Sequence, residues 1–219
     1  MSSEVNPVGQ SEKPPADWNV LVTLAEPTYR TARNLLAKWG RLRRTEYYNV
    51  ATMAVADPVS FLREFGAAIE QSPGILNAMS HVVPFEHLFE FEDAVEFETK
   101  AREIALTYVP RLIGKSFHVR LHRRGLKGTI STPTEERFLD EALLGALVAA
   151  GGPGRISFED PDCVLLIETL GQRGGLALWT REELNRYPFL PALSVSLKCR
   201  ASFSRHGAGT IRPTPSSSR

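Results

Sequence analysis

The first 85 residues alternate between strand-type and helix-type patterns in an order that few folds accommodate. β-Branched residues predict a strand at 19–24, and an apolar stripe predicts a helix within 27–40. Two short strands joined by a turn are predicted within 42–56. Asp57 then caps a second helix whose first position is a proline, and a weaker strand follows around 79–85. The resulting order, β-α-β-β-α-β, predicts a ferredoxin-like unit.

A second unit, also with helices and strands, is predicted from about Phe89. It begins with a long helix from Asp93, which Pro110 is expected to kink or end. A strand with alternating residues follows, and then a helix whose start at Thr132 we interpret as a capping box. A second capping box, Thr180 to Glu183, predicts a short final helix. Three further strands are expected between these two helices, at 156–158, 163–170 and 176–180.

These patterns predict an α+β protein with two small units in tandem. The expected divisions are a disordered lead-in at 1–16, a ferredoxin-like unit at 17–88, a second unit at 89–190, and a basic, largely flexible tail at 191–219. No internal repeat interrupts this plan.

Composition narrows the class of protein. Hydrophobic residues make up 42% of the 219 residues, which is enough for a folded core. The N-terminus lacks the apolar stretch of a signal peptide, and the longest nearly apolar run, from Ala142, is too short to span a bilayer. Cys163 and Cys199 stand alone, so no structural disulfide is expected. We therefore expect a cytoplasmic protein that does not associate with membranes.

The segment KSFHVRLHRRGLKG, residues 115–128, concentrates positive charge in a chain whose formal net charge is only +1. It contains no acid. Phe117, Val119 and Leu121 alternate with polar residues, so the polar side chains are expected on the open face of a strand. The glycines of the loop that follows allow close approach to the backbone. Clustered cations, accessible amides and the start of a helix nearby suit a phosphate backbone.

Enzyme motifs fit the sequence poorly. Gly114-Lys115-Ser116 resembles the end of a phosphate-binding loop, but Val109 stands where that motif needs its first glycine. No GxGxxG follows a strand, and no GxSxG is present. His118 and His122 have the spacing of zinc ligands on a helix, but on a strand they lie about 13 Å apart. We expect no cofactor, no metal and no catalytic residue.

A purely structural interpretation of the basic strand stays open at this point. The strand could be the outer face of a sheet whose charge is balanced by the acidic helix at 92–103, which precedes it in sequence.

Residues 89–190 resemble a THUMP domain, an RNA-binding module of tRNA-modifying proteins. The resemblance rests on the strand and loop FHVRLHRRGLKG with the helix after them, on ISFEDPDCVLLIETLG, and on GLALWT. The preceding ferredoxin-like unit is similar to the one that accompanies THUMP in that family. The resemblance implies tRNA binding, with contacts carried over to one group of basic residues: Lys115, His118, Arg120, His122, Arg123, Arg124 and Lys127.

The resemblance also implies a role. The chain is similar to the stand-alone adaptor that helps an RNA cytidine acetyltransferase to modify tRNA, so a non-catalytic adaptor with tRNA and such an enzyme as partners is expected. Two alternatives remain: a small RNA-modifying enzyme with an unrecognised active site, and a protein-interaction module that docks through the acidic helix at 92–103.

Overall fold

The computed structural model describes residues 18–25 and 28–191 of the chain. The predictions for the lead-in and for the tail beyond Pro191 lie outside the described residues. Within the described ranges, no helix is both long enough and apolar enough to cross a membrane.

The first unit is a four-stranded antiparallel sheet with strand order β2-β3-β1-β4. Two α-helices and a short 3-10 helix at Pro73–Asn77 connect the strands. The elements are β1 (Val20–Leu24), α1 (Tyr29–Leu36), β2 (Arg43–Arg44), β3 (Val50–Met53), α2 (Pro58–Gln71) and β4 (Met79–Pro84). This order confirms the predicted β-α-β-β-α-β arrangement.

The cap of α2 forms as its sequence predicts. The Asp57 side chain accepts hydrogen bonds from the Val59 amide at 3.0 Å and the Ser60 amide at 3.1 Å. Pro58 occupies the first turn, where it removes no intrahelical bond.

The second unit is a five-stranded mixed sheet with strand order β5-β9-β8-β6-β7. Strand β6 pairs in parallel with both β7 and β8, while β9 pairs antiparallel with β8 and β5. The strands are β5 (His87–Glu90), β6 (Ser116–Arg124), β7 (Arg155–Ile156), β8 (Cys163–Leu170) and β9 (Arg173–Thr180). The helices are α3 (Ala94–Leu106), α4 (Val109–Leu112), α5 (Thr132–Ala149) and α6 (Arg181–Arg186).

Of the local sequence signals in this unit, some predict the structure correctly and one does not. The predicted interruption at Pro110 is found, because α4 starts at Val109 after a break from α3. The Thr180 capping box at α6 forms with both of its hydrogen bonds. The capping box at Thr132 is wrong: the N-cap of α5 is Ser131, and its side chain caps no backbone amide. The Ser131 hydroxyl instead accepts a hydrogen bond from the Thr134 hydroxyl at 2.9 Å.

The second sheet is covered on both faces. Phe117, Val119 and Leu121 of β6 pack with α3 and α5 in one core. The other face adds four residues to the core of the first unit: Leu166, Leu170, Ala177 and Trp179. Burial of a leucine side chain such as Leu166 contributes roughly 1.5–3 kcal/mol. The two units therefore share a core, which holds β4 of the first unit close to the C-terminal end of β6.

Candidate nucleic-acid interface

Strand β6 divides its side chains between two faces. Phe117, Val119 and Leu121 are buried in the core beneath α5, as predicted. The remaining positions, which point toward the first unit, are His118, Arg120, His122 and Arg124. The structure thus brings together on one face four of the seven candidate residues.

The start of β6 is fixed by the Asp-Pro-Asp turn. The Asp162 carboxylate accepts hydrogen bonds from the Ser116 amide at 2.8 Å and the Ser116 hydroxyl at 2.7 Å. These bonds lower the pKa of Asp162. Arg181 of α6 also pairs with Asp162, at 3.0 Å. Lys115, half-buried, lies directly before this anchored point.

The outer edge of β6 is closed by two carboxylates of α5. Asp140 accepts a hydrogen bond from the Val119 amide at 2.9 Å, and Glu136 accepts one from the Leu121 amide at 2.8 Å. Burial raises the pKa of Asp140 to about 7, although the Val119 amide opposes this shift. Among the described residues, β7 covers this edge only at Ser116 and Phe117. The helix therefore satisfies backbone donors that a neighbouring strand would otherwise bond.

A buried acid lies within the basic face. Glu168 of β8, which is 2% exposed, stands opposite His122 in the parallel register. Its carboxylate contacts the Nδ1 atom of His122 at 3.0 Å and pairs with the guanidinium of Arg124. Sequence reasoning missed Glu168, although a single acid inside the apolar run CVLLIETL is a signal, because a buried charge needs a partner. The carboxylate that pairs with Arg124 comes from β8 and not from the acidic helix α3.

His81 of β4 extends this cluster across to the first unit. Burial is the main cause of the lowered pKa of His81; the nearby Glu168 opposes the shift, and His122 and Arg124 add to it. The C-terminal end of the basic face therefore lies close to the first unit.

The sequence predicts that His118 lies on an open face of the sheet, and the structure contradicts this prediction. It is 2% exposed, and its ring lies 5.5 Å from the ring of Phe158, which is itself 68% exposed. Neither ring nitrogen has a hydrogen-bond partner among the described residues. Burial, with a smaller effect of Arg120, lowers the pKa of His118 to about 4. The residue is therefore neutral near pH 7, and Phe158 covers it.

The loop after β6 separates the remaining candidates. Strand alternation places Arg123 on the face opposite Arg124, and its guanidinium donates to the Gly125 carbonyl. Gly125 and Gly128 have φ angles of 87° and 86°, which glycine adopts without strain. Lys127 is exposed at the tip, with no ion pair among the described residues. Lys127 therefore presents positive charge outward from this loop, whereas the Nε atom of Arg123 is buried and the sheet face is partly neutralised.

The loop also touches the first unit. A Cβ atom placed on Gly125 would lie 2.6 Å from the Tyr47 hydroxyl, and one on Gly171 would lie 3.6 Å from it. Tyr47 therefore packs between the turn after β6 and the turn between β8 and β9. Sequence patterns gave no sign of this contact. Among residues 18–25 and 28–191, no group of three or more His, Cys, Asp or Glu could hold a metal ion.

Comparison with known proteins places this arrangement in a structural class. No protein-family model and no curated protein matches the sequence. Among solved structures, PH1313 from Pyrococcus horikoshii OT3 superposes with a TM-score of 0.52 at 10% identity, over 74% of this chain and 54% of PH1313. A 4-thiouridine synthetase, solved as an RNA complex with bound ATP, superposes with a TM-score of 0.51 at 11% identity, over 74% of this chain and 41% of the synthetase.

The chain has a THUMP-like α+β fold. Both of these neighbours contain a THUMP domain, and the predicted fold class is confirmed. The chain spans only about half of the length of PH1313 and less of the synthetase.

Proposed function

We propose that this chain binds tRNA and acts as a non-catalytic adaptor for a tRNA-modifying enzyme, with a cytidine acetyltransferase as the enzyme served. The observation that carries the RNA-binding part is the loop after β6. Its glycines turn the chain so that Lys127 faces solvent without an acidic partner among the described residues, and Arg123 lies near the end of the strand that leads into this loop. A guanidinium and an ammonium beside an accessible backbone suit phosphate oxygens.

The fold supports the same proposal. A THUMP-containing neighbour was solved as a complex with RNA. In the present chain, Tyr47 packs against the turn after β6, and the two units share a core, so residues of both units lie close together at this loop. Contacts to backbone and shape carry little sequence information, so this surface suits folded RNA of varied sequence.

Charge reversal in the loop tests the RNA-binding part. Replacing both Arg123 and Lys127 by glutamate is expected to weaken tRNA binding about tenfold or more, because two phosphate contacts become repulsive. Arg124 is left unchanged because its pairing with buried Glu168 supports the fold. The measurement is fluorescence anisotropy with labelled tRNA, with circular dichroism to verify folding.

Arg102→Glu provides the matched control. Arg102 is exposed on α3 and makes no ion pair among the described residues. We expect its reversal to leave tRNA affinity within about twofold of wild type. Equal loss of affinity in the control and the loop variant would show a nonspecific charge effect and would contradict the assigned surface.

The adaptor part is tested by nucleoside analysis. tRNA incubated with the purified chain alone is expected to remain unmodified, whereas addition of the chain to an RNA cytidine acetyltransferase is expected to raise acetylcytidine content. Modified nucleosides formed by the chain alone would favour the enzyme alternative. A partner complex that survives nuclease, together with unchanged tRNA affinity in the loop variant, would favour the protein-interaction alternative.

A further inference from the structure

The first unit carries a groove made of two adjoining pockets. One pocket, of about 340 Å³, is lined by Tyr29, Arg30, Arg33 and Arg44. The other, of about 430 Å³, shares Tyr29 and Arg44 with it and continues past the turn that contains Tyr48. Three guanidinium groups around one cavity are unusual for a nearly neutral chain, and the established features of the fold do not require them.

Local structure explains how the three arginines converge. Arg30 and Arg33 are three residues apart on α1, so their side chains lie on the same side of the helix. Arg44 comes from the edge strand β2, and its guanidinium lies 4.0 Å from the centroid of the Tyr29 ring. The Tyr29 hydroxyl donates to the Leu42 carbonyl at 3.1 Å, which fixes the ring and with it the guanidinium.

Within 18–25 and 28–191, no acidic side chain forms an ion pair with these arginines. All three arginines are exposed. Like charges gathered in one pocket repel each other unless an anion binds between them. Guanidinium groups bind phosphate oxygens through paired hydrogen bonds, so phosphate is the anion that this pocket suits best.

The second pocket has a different chemistry. The Tyr48 side chain is 76% exposed, although a ring of this size usually packs against other groups. Asn49, with a φ angle of 55°, turns the chain directly after it. Glu46 also lines this pocket, so a phosphate is repelled here, while amino or hydroxyl hydrogens can be accepted. The groove thus has a cationic compartment for phosphate and an aromatic compartment for a base.

The groove is continuous with the loop after β6. Tyr47 lines the second pocket, and its hydroxyl lies against Gly125 and Gly171. Tyr47 therefore links the second pocket to the turn that follows β6.

We propose that this groove binds a nucleotide of single-stranded RNA, with the phosphate between Arg30, Arg33 and Arg44 and the base stacked on Tyr48. The inference rests on the proposed RNA-binding function and extends it to the first unit. A base stacked on an aromatic side chain is held without regard to its identity, which fits a surface that recognises backbone and shape.

The test uses the full chain and a short fluorescent single-stranded oligoribonucleotide. Replacing Arg30 and Arg33 together by glutamate is expected to weaken binding about tenfold or more. Tyr48→Ala is expected to weaken it about fivefold or more, through loss of stacking. Arg44→Lys keeps the charge but loses the planar contact with Tyr29, so an intermediate loss is expected.

Arg63→Glu is the matched control in the same unit, since Arg63 is exposed on α2 and donates to the Ser60 hydroxyl at 3.3 Å. Its affinity for the oligoribonucleotide is expected to equal that of wild type. If the double arginine variant fails to fold, Tyr48→Ala decides the question, because an exposed side chain supports little of the core. Unchanged affinity in Tyr48→Ala and in the folded arginine variant would overturn the proposal.

Two further outcomes separate this inference from the function on which it rests. Loss of tRNA binding in the loop variant, with no effect of the groove variants on either RNA, leaves the proposed function standing and removes the groove site. Displacement of the oligoribonucleotide by a free nucleoside monophosphate at a lower concentration than by unlabelled oligoribonucleotide would assign the groove to free nucleotides and overturn the RNA assignment.

Discussion

Glu168 decides the electrostatic character of the face formed by β6. An acid that is 2% exposed would be costly alone, and it persists because Arg124 and His122 both contact its carboxylate. The side chains of these partners are 22% and 41% exposed, so the cluster is less desolvated than a fully buried ion pair. The cluster therefore stabilises the fold and also lowers the net positive charge of the face formed by β6.

We expect Glu168→Leu to lower the free energy of unfolding by about 2 kcal/mol, because it leaves Arg124 half-enclosed without its counter-charge. The double variant Glu168→Leu with Arg124→Met is expected to recover most of this loss, since apolar replacement of both partners removes the unpaired charge. Urea unfolding followed by circular dichroism measures both values.

Glu159→Leu serves as the comparison, because Glu159 is exposed and makes no ion pair among the described residues. This substitution is expected to change the free energy of unfolding by less than about 0.5 kcal/mol. A double variant no more stable than Glu168→Leu alone would show that the loss arises from packing and not from the ion pair.

At the scale of elements, the relation between β6 and α5 is the least ordinary feature of the fold. A strand at the edge of a sheet leaves backbone groups without strand partners, and proteins often cover such an edge with a helix or loop. Beyond Phe117, the outer edge of β6 is closed by carboxylates of a helix, with Asp140 on the Val119 amide and Glu136 on the Leu121 amide.

Asp140→Asn tests this edge and its pH dependence. The folded pKa of Asp140 is raised from 3.8 to about 7, so the stability that its protonated form contributes is full below about pH 4 and is lost as pH rises to 7. Asparagine keeps an acceptor for the Val119 amide but does not ionise. Relative to wild type, Asp140→Asn is therefore expected to gain stability between about pH 5 and pH 8, as measured by urea unfolding at each pH.

Asp140→Ala supplies the opposite case. It removes the acceptor and leaves a buried amide unsatisfied, so a loss of about 2 kcal/mol is expected, with faster hydrogen exchange at Val119. Glu141→Ala, at an exposed position of α5, is expected to change neither quantity. If the free energies of unfolding of wild type and Asp140→Asn differ by the same amount at about pH 5 and about pH 8, Asp140 does not titrate between these pH values.

Sequence signals predicted the elements better than their partners. The β-α-β-β-α-β order, the Asp57 cap and the Thr180 capping box depend on neighbouring residues and are found in the structure. Strand β5 (His87–Glu90) was missed because it is only four residues long and it pairs with β9, far along the chain. Glu168 lies opposite His122 because of the register between β6 and β8, and no local sequence pattern specifies that register.

At the scale of the whole molecule, the shared core makes the two units one cooperative structure. Phe85, at the end of β4, packs directly on the backbone of β9, because Gly175 offers no side chain there. A Cβ atom at Gly175 would lie 2.7 Å from the Phe85 ring, and Phe85 is fully enclosed.

Gly175→Ala is therefore expected to destabilise the whole chain by about 1–3 kcal/mol, because the Phe85 ring has no room to move. Loss of signal from the tryptophans of both units is expected to follow one common transition, as measured by fluorescence together with circular dichroism. Gly145→Ala is expected to have the opposite effect. A Cβ atom at Gly145 meets nothing within 4 Å, and alanine in a helix interior is expected to raise the free energy of unfolding by about 0.5–1 kcal/mol. Separate transitions for the two units would show that the common core does not couple them.

The buried carboxylate of Glu168 also affects how strongly the affinity for a polyanion depends on salt concentration. A phosphate on single-stranded RNA releases about 0.7 of a condensed counterion when a cation of the protein replaces it. Arg124 already carries its counter-charge inside the fold, so it contributes little to this release. Affinity for RNA should thus fall less steeply with added salt than seven basic side chains would indicate, and most of the fall should come from Arg123, Lys127 and the three arginines of the groove.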